Sequence, residues 1–366
     1  MTPAEAAVRA AISRRGPIPY DEVVELALYD PDGGFYATGG QAGRRGDFLT
    51  SPEVGPLFGA VVARAIDRWW ADAGRPEVWT VVEVGAGPGT LARAVRAAAP
   101  ECRHALRYVL VERSALQRAQ HGAHLPLEAP EAAFASRTEP ADDGPRPVPP
   151  TGPIAVSLGE LPRLPGPCVV LANELLDNLP FGLLERTAEG WAEVHVGVES
   201  DRLVEVLVAS DGPDLDAPAG ARVPVQRAAA AWVREALALA GRGGRVVAFD
   251  YASSSTDLAG RPWTEWVRTY RHHERGGPPL GDLGGQDITT EVAVDQLPTP
   301  TSDRSQAEWL RAHGIDALVE EGRRTWTERA SIGDLAAVRA RSRITEAEAL
   351  LDPDGLGAFR ALEWEG

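Results

Sequence analysis

The feature that most constrains the fold is a short apolar run that ends in three closely spaced glycines. Val81-Val82-Glu83-Val84 has the pattern of a buried strand, Gly85-Ala86-Gly87-Pro88-Gly89 follows it directly, and a helical pattern follows from Arg93 to Ala99. Glycines let the backbone turn tightly and approach a ligand closely, and the first turn of a helix presents unpaired N–H groups. The segment therefore predicts a strand, a turn and a helix that together hold a nucleotide-like cofactor.

Further short apolar runs alternate with helical stretches, which is typical of an α/β fold with a parallel sheet and helices on both faces. Two stretches of alternating polarity, Trp191 to Val198 and Arg202 to Val208, predict an antiparallel hairpin inserted into this sheet or added to its edge. The five apolar runs are Val78 to Val84, Tyr108 to Glu112, Ile154 to Leu158, Val169 to Asn173 and Arg245 to Tyr251.

The order of these patterns divides the chain of 366 residues into three consecutive regions. Residues 1–75 form an N-terminal helical extension that carries a glycine-rich loop. Residues 76–252 form the cofactor-binding core with the hairpin near 190–210, and residues 253–366 form a partly α-helical substrate-side insertion that also completes the core.

Composition excludes several kinds of chemistry. All 37 basic residues are arginine, so phosphate-loop ATPases, pyridoxal enzymes and Schiff-base aldolases, which each need a lysine, are excluded. The formal charge of −16 argues against nucleic-acid and membrane partners. Cys102 and Cys168 are too few for a disulfide framework and lack zinc-ligand spacing. We therefore expect no metal site. Because no signal-peptide pattern is found, we also expect a cytoplasmic protein.

The spacing of the glycines separates two cofactor classes. Dinucleotide-binding loops usually read G-x-G-x-x-G, whereas Gly85, Gly87 and Gly89 are two apart, with Glu83 two residues before the first. The spacing resembles that of S-adenosylmethionine loops, and a carboxylate at Glu83 suits the cationic amino-acid end of that cofactor. Glu112, at the end of the second run, could accept the ribose hydroxyls of either cofactor, so a nicotinamide oxidoreductase stays an alternative.

A polar segment follows the fourth run, where ligands bind in open α/β sheets. It contains the only two asparagines of the chain, Asn173 and Asn178, and the acids Glu174 and Asp177. On a helical turn, two acids three residues apart would face the same way. Together they could pair a guanidinium or accept a proton from a nucleophile.

Several segments together resemble the MidA-like family of class I, Rossmann-like S-adenosylmethionine-dependent methyltransferases, which includes a mitochondrial arginine methyltransferase. The resemblance spans nearly the whole chain, in the order of the family's motifs. The matching segments are Gly16-Pro17-Ile18, Ala27 to Pro31, Gly34-Phe35-Tyr36, Gly46 to Glu53, Glu83 to Gly89, Asn173 to Pro180, Asp250-Tyr251, Gly285 to Thr289 and Leu356 to Phe359.

The resemblance adds to the candidate site residues. It implies that Gly46 to Glu53 folds over the cofactor and that Asp47 and Glu53 lie near the reacting centre. The first candidates for catalysis are Glu174 and Asp177, which the local pattern indicates, and the second are Asp47 and Glu53; Asp287 could also reach the site. The candidate contacts to S-adenosylmethionine are Glu83, Gly85, Ala86, Gly87, Gly89, Glu112, Asn173 and Thr50.

Three hypotheses for function stay open at this point. The leading one is methyl transfer to an arginine guanidinium of a protein substrate. The second keeps the cofactor and places a small-molecule acceptor beneath the loop from Gly34 to Gly46. The third is an assembly factor that binds the cofactor without turnover and uses the hairpin and the helix with Trp69 and Trp70 as contact surfaces. A homodimer stays open under each of these hypotheses.

Overall fold

The structure divides the chain into two units, each assembled from three separate segments. The first unit comprises Met1–Phe48, Glu174–Ala236 and Asp250–Pro300, and the second comprises Leu49–Asn173, Leu237–Phe249 and Thr301–Gly366. The boundaries of the three consecutive regions stay a prediction. This computed structural model describes residues 1–39, 50–130, 137–139, 146–148, 151–164, 166–271 and 274–366.

The second unit is built around a seven-stranded sheet. Five of its strands are parallel, and the two strands at one edge pair antiparallel with each other. In spatial order the strands are Ser302–Ser305, Arg360–Glu365, Arg245–Asp250, Cys168–Asn173, Trp79–Val84, Leu106–Val111 and Ile154–Leu158.

The strand order reverses once inside this sheet. From Trp79–Val84 the chain adds its next two strands, Leu106–Val111 and Ile154–Leu158, on one side, and then starts the other side with Cys168–Asn173. The connections after two adjacent strands therefore leave in opposite directions, which opens a crevice beyond their carboxyl ends. The glycine-rich segment and Asn173 lie at this switch point.

Burial explains why these runs form central strands. All six residues of Leu106–Val111 are buried, which is the pattern of a parallel strand covered on both faces. The described helices of this unit are Ser51–Val54, Pro56–Asp72, Thr90–Ala97, Ala115–His124, Gln306–Ala312, Ile315–Arg329 and Leu335–Leu350. The described residues also form 3-10 turns at Glu101–His104 and Leu356–Ala358 and a two-stranded ribbon of Arg137–Glu139 and Arg146–Val148.

The first unit contains a separate antiparallel sheet. The predicted hairpin forms, as Trp191–Glu199 and Arg202–Ser210, but its predicted position is wrong because it belongs to this sheet and not to the seven-stranded one. Its inward side chains Val194 and Val196 pack in a core with the first two helices, which gives the hairpin an apolar face to bury. The other strands of this sheet are Ile18–Pro19, Gly182–Arg186 and Arg222–Val225.

Shorter elements complete the first unit. A three-stranded sheet places Asp287–Thr290, which is buried along its whole length, beside Val267–Arg271. None of the described helices is long and apolar enough to cross a membrane. The remaining elements are the helices Pro3–Arg15, Tyr20–Tyr29, Ser255–Ala259, Trp263–Trp266 and Arg227–Ala240, whose last turn belongs to the second unit, the strands Glu274–Arg275, Ala252–Ser253 and Val292–Ala293, and the 3-10 turns Leu176–Asn178 and Val294–Gln296.

A buried carboxylate at the start of the helix Pro56–Asp72 yields a test of the second unit. Glu346 is buried and accepts a hydrogen bond from the backbone N–H of Leu57 at 2.8 Å. We expect Glu346→Ala to lower the free energy of unfolding in urea by about 1–3 kcal/mol, because it leaves a buried donor unsatisfied. The exposed Glu348 lies on the same helix as Glu346, so Glu348→Ala should change the free energy of unfolding by less than about 0.5 kcal/mol. Equal effects of the two substitutions would contradict this role of Glu346.

Candidate functional site

The glycine loop, residues 85–89, has a backbone that only glycine adopts easily. Gly85, Gly87 and Gly89 have φ values of +68°, +53° and +85°. A Cβ atom added at Gly87 would lie 3.2 Å from Oε1 of Gln117, so the space beside the loop is also restricted. The helix Thr90–Ala97 begins immediately after the loop and presents the N–H groups of its first turn there. The loop is therefore a preformed cradle for a ligand.

Glu83 supports this cradle from inside the sheet. Its Oε2 accepts a hydrogen bond from the hydroxyl of Tyr108 at 2.6 Å, and the backbone of Ala92, in the first turn of the next helix, also bonds to it. Burial raises the pKa of the Glu83 carboxyl to about 8, although both hydrogen bonds act to lower it. Glu83 thus joins two strands and a helix around the loop, and its direct contact with a cofactor stays a prediction.

Glu112 links the end of the second central strand to the loop. Its Oε2 accepts from the backbone N–H of Gly87 at 2.9 Å, and its Oε1 accepts from the N–H of Ser114 at 2.7 Å. Burial raises the pKa of this carboxyl, while the backbone hydrogen bonds lower it. Because each carboxylate oxygen has two lone pairs, Glu112 can still accept ribose hydroxyls. The residues present therefore fit the adenosine part of S-adenosylmethionine.

Residues around the short helix Ser51–Val54 also contact the start of the helix Thr90–Ala97. The hydroxyl of Thr90 donates to Oε1 of Glu53 at 2.7 Å, and the N–H of Glu53 donates to the carbonyl of Thr50 at 2.9 Å. The structure therefore brings Glu53 to the first residue of the helix that follows the glycine loop, and the cofactor contact of Thr50 stays a prediction. Asp47 lies outside the described residues.

Ala86 and Asn173 complete the predicted cofactor set. Ala86 is buried, and its N–H donates to the carbonyl of Val111 at 3.1 Å, which ties the loop to the neighbouring strand. Val84 pairs with Ala172, so Asn173 continues its strand one residue beyond the last paired position of the first central strand. It lies at the switch point, directly before Glu174 in the chain.

The first unit contains what we call the acidic cluster, which is Glu174, Asp177, Asp250 and Asp287, all buried. Asp250 holds the 3-10 turn of this cluster. It accepts hydrogen bonds from the N–H groups of Leu176 at 2.8 Å, Asp177 at 3.4 Å and Tyr251 at 2.9 Å. Three backbone donors compensate part of the cost of burying this carboxyl.

The backbone at Glu174 is strained, because its φ of +50° is uncommon outside glycine. The prediction that Glu174 and Asp177 share the face of one helical turn is wrong, since the 3-10 turn begins only at Leu176. Their charges still interact. The pKa of Asp177 is raised well above its usual value, first by burial, then by the charge of Asp250 and then by the charge of Glu174.

Asp287 joins the cluster from a distant part of the sequence. It accepts from Nδ2 of Asn178 at 3.2 Å, from the hydroxyl of Tyr36 at 3.1 Å and from the N–H of Ile288 at 2.9 Å. Tyr36 and Asp250 were not singled out from the sequence as site residues. Asp250 could have been found because it lies at the end of the fifth apolar run, next to Tyr251, and both Asp250 and Tyr36 lie in segments that carry the family resemblance.

Asp177 has an unsatisfied carboxylate oxygen. Within the described residues, Oδ1 of Asp177 is buried and has no hydrogen-bond partner. Burial also raises the pKa of Asp250, against its backbone hydrogen bonds. No group of three or more His, Cys, Asp or Glu side chains in the described ranges is arranged so that it could hold a metal ion. The arrangement is suited to a ligand that carries positive charge and N–H donors.

Comparison with known sequences places this chain in a family. A family model described as "Putative S-adenosyl-L-methionine-dependent methyltransferase" matches residues 61–312. The chain is 32% identical over 204 residues to the Drosophila melanogaster protein arginine methyltransferase NDUFAF7 homolog, covering 53% of this chain and 44% of that one. It is 27% identical over 330 residues to the Danio rerio protein arginine methyltransferase NDUFAF7, covering 83% and 75%. The chain spans about half the length of the Drosophila and Mus musculus relatives, 44% and 48%.

Solved structures agree with this match. The crystal structure of a Burkholderia thailandensis protein bound to S-adenosyl-homocysteine has a TM-score of 0.76 and 26% identity, covering 99% of this chain and 92% of that one. A native crystal structure from the same organism has a TM-score of 0.75 and 25% identity, covering 99% and 91%. The predicted family resemblance, α/β fold class and S-adenosylmethionine cofactor are thereby confirmed.

The left-handed backbone of the glycine loop yields a second test. We expect Gly87→Ala to raise the Kd for S-adenosyl-homocysteine about tenfold or more, because the methyl group strains the loop and disturbs the Gly87 hydrogen bond to Glu112. Isothermal titration calorimetry measures this change. Gly74 has a similar φ of +82° with no atom near its added Cβ, so Gly74→Ala is the matched control for backbone strain and should leave the Kd unchanged. A Gly87→Ala protein with wild-type affinity would contradict the role of the loop.

Proposed function

We propose that this chain transfers a methyl group to an arginine guanidinium of a protein substrate. The chain belongs to the family of S-adenosyl-L-methionine-dependent methyltransferases that its sequence matches. The acidic cluster is the proposed acceptor site. The observation that carries the proposal is the buried Oδ1 atom of Asp177, which lacks a hydrogen-bond donor among the described residues and interacts with three other buried acids. The names of the relatives as protein arginine methyltransferases support it.

The chemistry of a guanidinium matches this cluster. The group is planar, carries one positive charge and presents five N–H donors, which pair well with carboxylates in bidentate geometry. Burying ionised carboxylates without a compensating cation is costly. A bound guanidinium would lower that cost and supply the donor that Oδ1 of Asp177 lacks.

The proposed reaction is a direct displacement, with geometry as the main contribution of the protein. S-adenosylmethionine supplies a methyl group bonded to a positively charged sulfur. The acidic cluster would bind the guanidinium and accept the proton that its attacking nitrogen loses as the N–C bond forms. The C–S bond breaks in the same step, and its electron pair stays on sulfur. A carboxylate with a raised pKa, such as that of Asp177, is suited to hold the proton.

Roles for individual residues belong to the same proposal. Glu174 is the first candidate for orienting the guanidinium because it directly follows Asn173, the last residue of a central strand, and has a strained backbone. Asp177 is the second, and Asp47 and Glu53 are further candidates. A cytoplasmic location and a homodimer also stay predictions, and the relatives in animals are named as mitochondrial proteins.

Substitution of Glu174 tests the acceptor role. We expect Glu174→Gln to lower methylation by at least about a hundredfold while the Kd for S-adenosyl-homocysteine stays within about threefold, because the change removes a charge from the acceptor side alone. The assay supplies tritium-labelled S-adenosylmethionine and a protein extract, and measures labelled methylarginine after acid hydrolysis.

A second variant separates folding from function. Glu174→Gly removes the same carboxylate and also relieves the backbone strain of the positive φ. This variant should therefore be at least as stable as the wild type and as inactive as Glu174→Gln. Loss of cofactor binding in Glu174→Gln would move the residue to the cofactor site. Label that enters only the small-molecule fraction of an extract would replace the protein acceptor with a metabolite.

The raised pKa values of the cluster give a pH prediction. Because burial raises the pKa values of Asp177 and Asp250, both acids are more protonated near neutral pH than free aspartates, and they ionise as the pH rises. Binding of an arginine peptide should therefore strengthen as the pH rises from about 6 to about 8.5, the range in which carboxyls with raised pKa values of this kind ionise. Fluorescence anisotropy with a labelled peptide measures it. Asp177→Asn should flatten this dependence, and binding that weakens with rising pH would argue against a cationic ligand.

A further inference from the structure

A buried histidine lies directly behind the glycine loop. His121 is 0% exposed and sits on the helix Ala115–His124, which follows the second central strand. Its Nε2 lies 2.7 Å from the carbonyl oxygen of Gly87, and its Nδ1 lies 2.8 Å from the hydroxyl of Ser157. Both ring nitrogens are therefore used, and neither contact belongs to the acceptor chemistry described above.

The partners fix the tautomer of this ring. A carbonyl oxygen can only accept, so Nε2 carries the hydrogen and donates to Gly87. In the neutral ring Nδ1 then accepts from the hydroxyl of Ser157. Burial lowers the pKa of His121, which favours this neutral form.

Hydrogen bonds therefore hold the two peptide groups that flank Gly87. The N–H of Gly87 donates to Oε2 of Glu112, and its carbonyl accepts from His121. A Cβ atom added at Gly89 would lie 3.4 Å from Cδ2 of His121, so the ring also packs against the last glycine of the loop. Glycine has few steric restrictions on its backbone, so hydrogen bonds must select one conformation of this loop.

We propose that His121 is a positioning residue for the cofactor: through Nε2 it holds the Gly87 carbonyl, and so keeps the Gly87 N–H on Glu112 and the loop in the conformation that receives S-adenosylmethionine. His121 does not contact the reacting atoms in this proposal. Its loss weakens cofactor binding and leaves the transfer step at saturating cofactor unchanged. The inference rests on the cofactor of the family and not on the identity of the acceptor.

Two conservative variants separate the roles of the ring nitrogens. The amide nitrogen of Gln can take the place of Nε2 and donate to Gly87, whereas the shorter Asn reaches only toward Ser157. By calorimetry with S-adenosyl-homocysteine, we expect His121→Gln to bind within about threefold of wild type and His121→Asn to bind about tenfold more weakly, the effect of one lost hydrogen bond. Thermal unfolding of both variants without ligand checks that they fold equally well.

A spectroscopic measurement tests the same contact without any ligand. With ¹⁵N-labelled histidine, the ring nitrogen shifts of His121 should show the neutral tautomer with hydrogen on Nε2. Hydrogen on Nδ1, or equal losses of affinity in the Gln and Asn variants, would overturn the proposal and leave His121 a packing residue. If the wild-type protein does not bind S-adenosyl-homocysteine at all, the cofactor assignment itself fails, which is a different result.

Discussion

The candidate cofactor site depends on the conformation of one residue, Gly87. Its N–H is bonded to Glu112 and its carbonyl to His121, and its φ of +53° is one that other residues rarely adopt. These partners come from the end of the second central strand and from the helix after it. The loop is thus held by the neighbouring strand–helix pair, which the parallel register of Val84 with Val111 brings alongside. Any ligand of this loop therefore depends on correct pairing of the first two strands.

Unlike the hydrogen bonds that hold Gly87, the acidic cluster lowers the stability of the folded protein. Carboxyls buried side by side resist ionisation, as the raised pKa values of Asp177 and Asp250 indicate. The positive φ at Glu174 adds backbone strain. Sites that combine strain with incompletely paired charge are typical of function, because selection for binding there outweighs the loss of stability. A cationic acceptor relieves the electrostatic part of this cost.

Much of the fold could be predicted from the sequence, for identifiable reasons. The central strands were located because parallel strands are buried on both faces and therefore form continuous apolar runs. The hairpin was recognised by its alternation, but its sheet was not, since alternation reveals only that one face is buried and not what covers it. The helix of the N-terminal region that carries Trp69 and Trp70 is Pro56–Asp72, and Gly55 separates it from the short helix Ser51–Val54.

The sequence alone determined the strand, glycine loop and helix of the candidate cofactor site, because spacing, burial periodicity and the need for positive φ values are local properties. It also determined Glu174 and Asp177 as candidates, since they directly follow a recognisable strand. Only the tertiary structure decided that Asp250, Asp287 and Tyr36 join them, and that His121 holds Gly87. These contacts link residues far apart in the chain, and their distances are fixed by how the strands and loops pack, which no local pattern records.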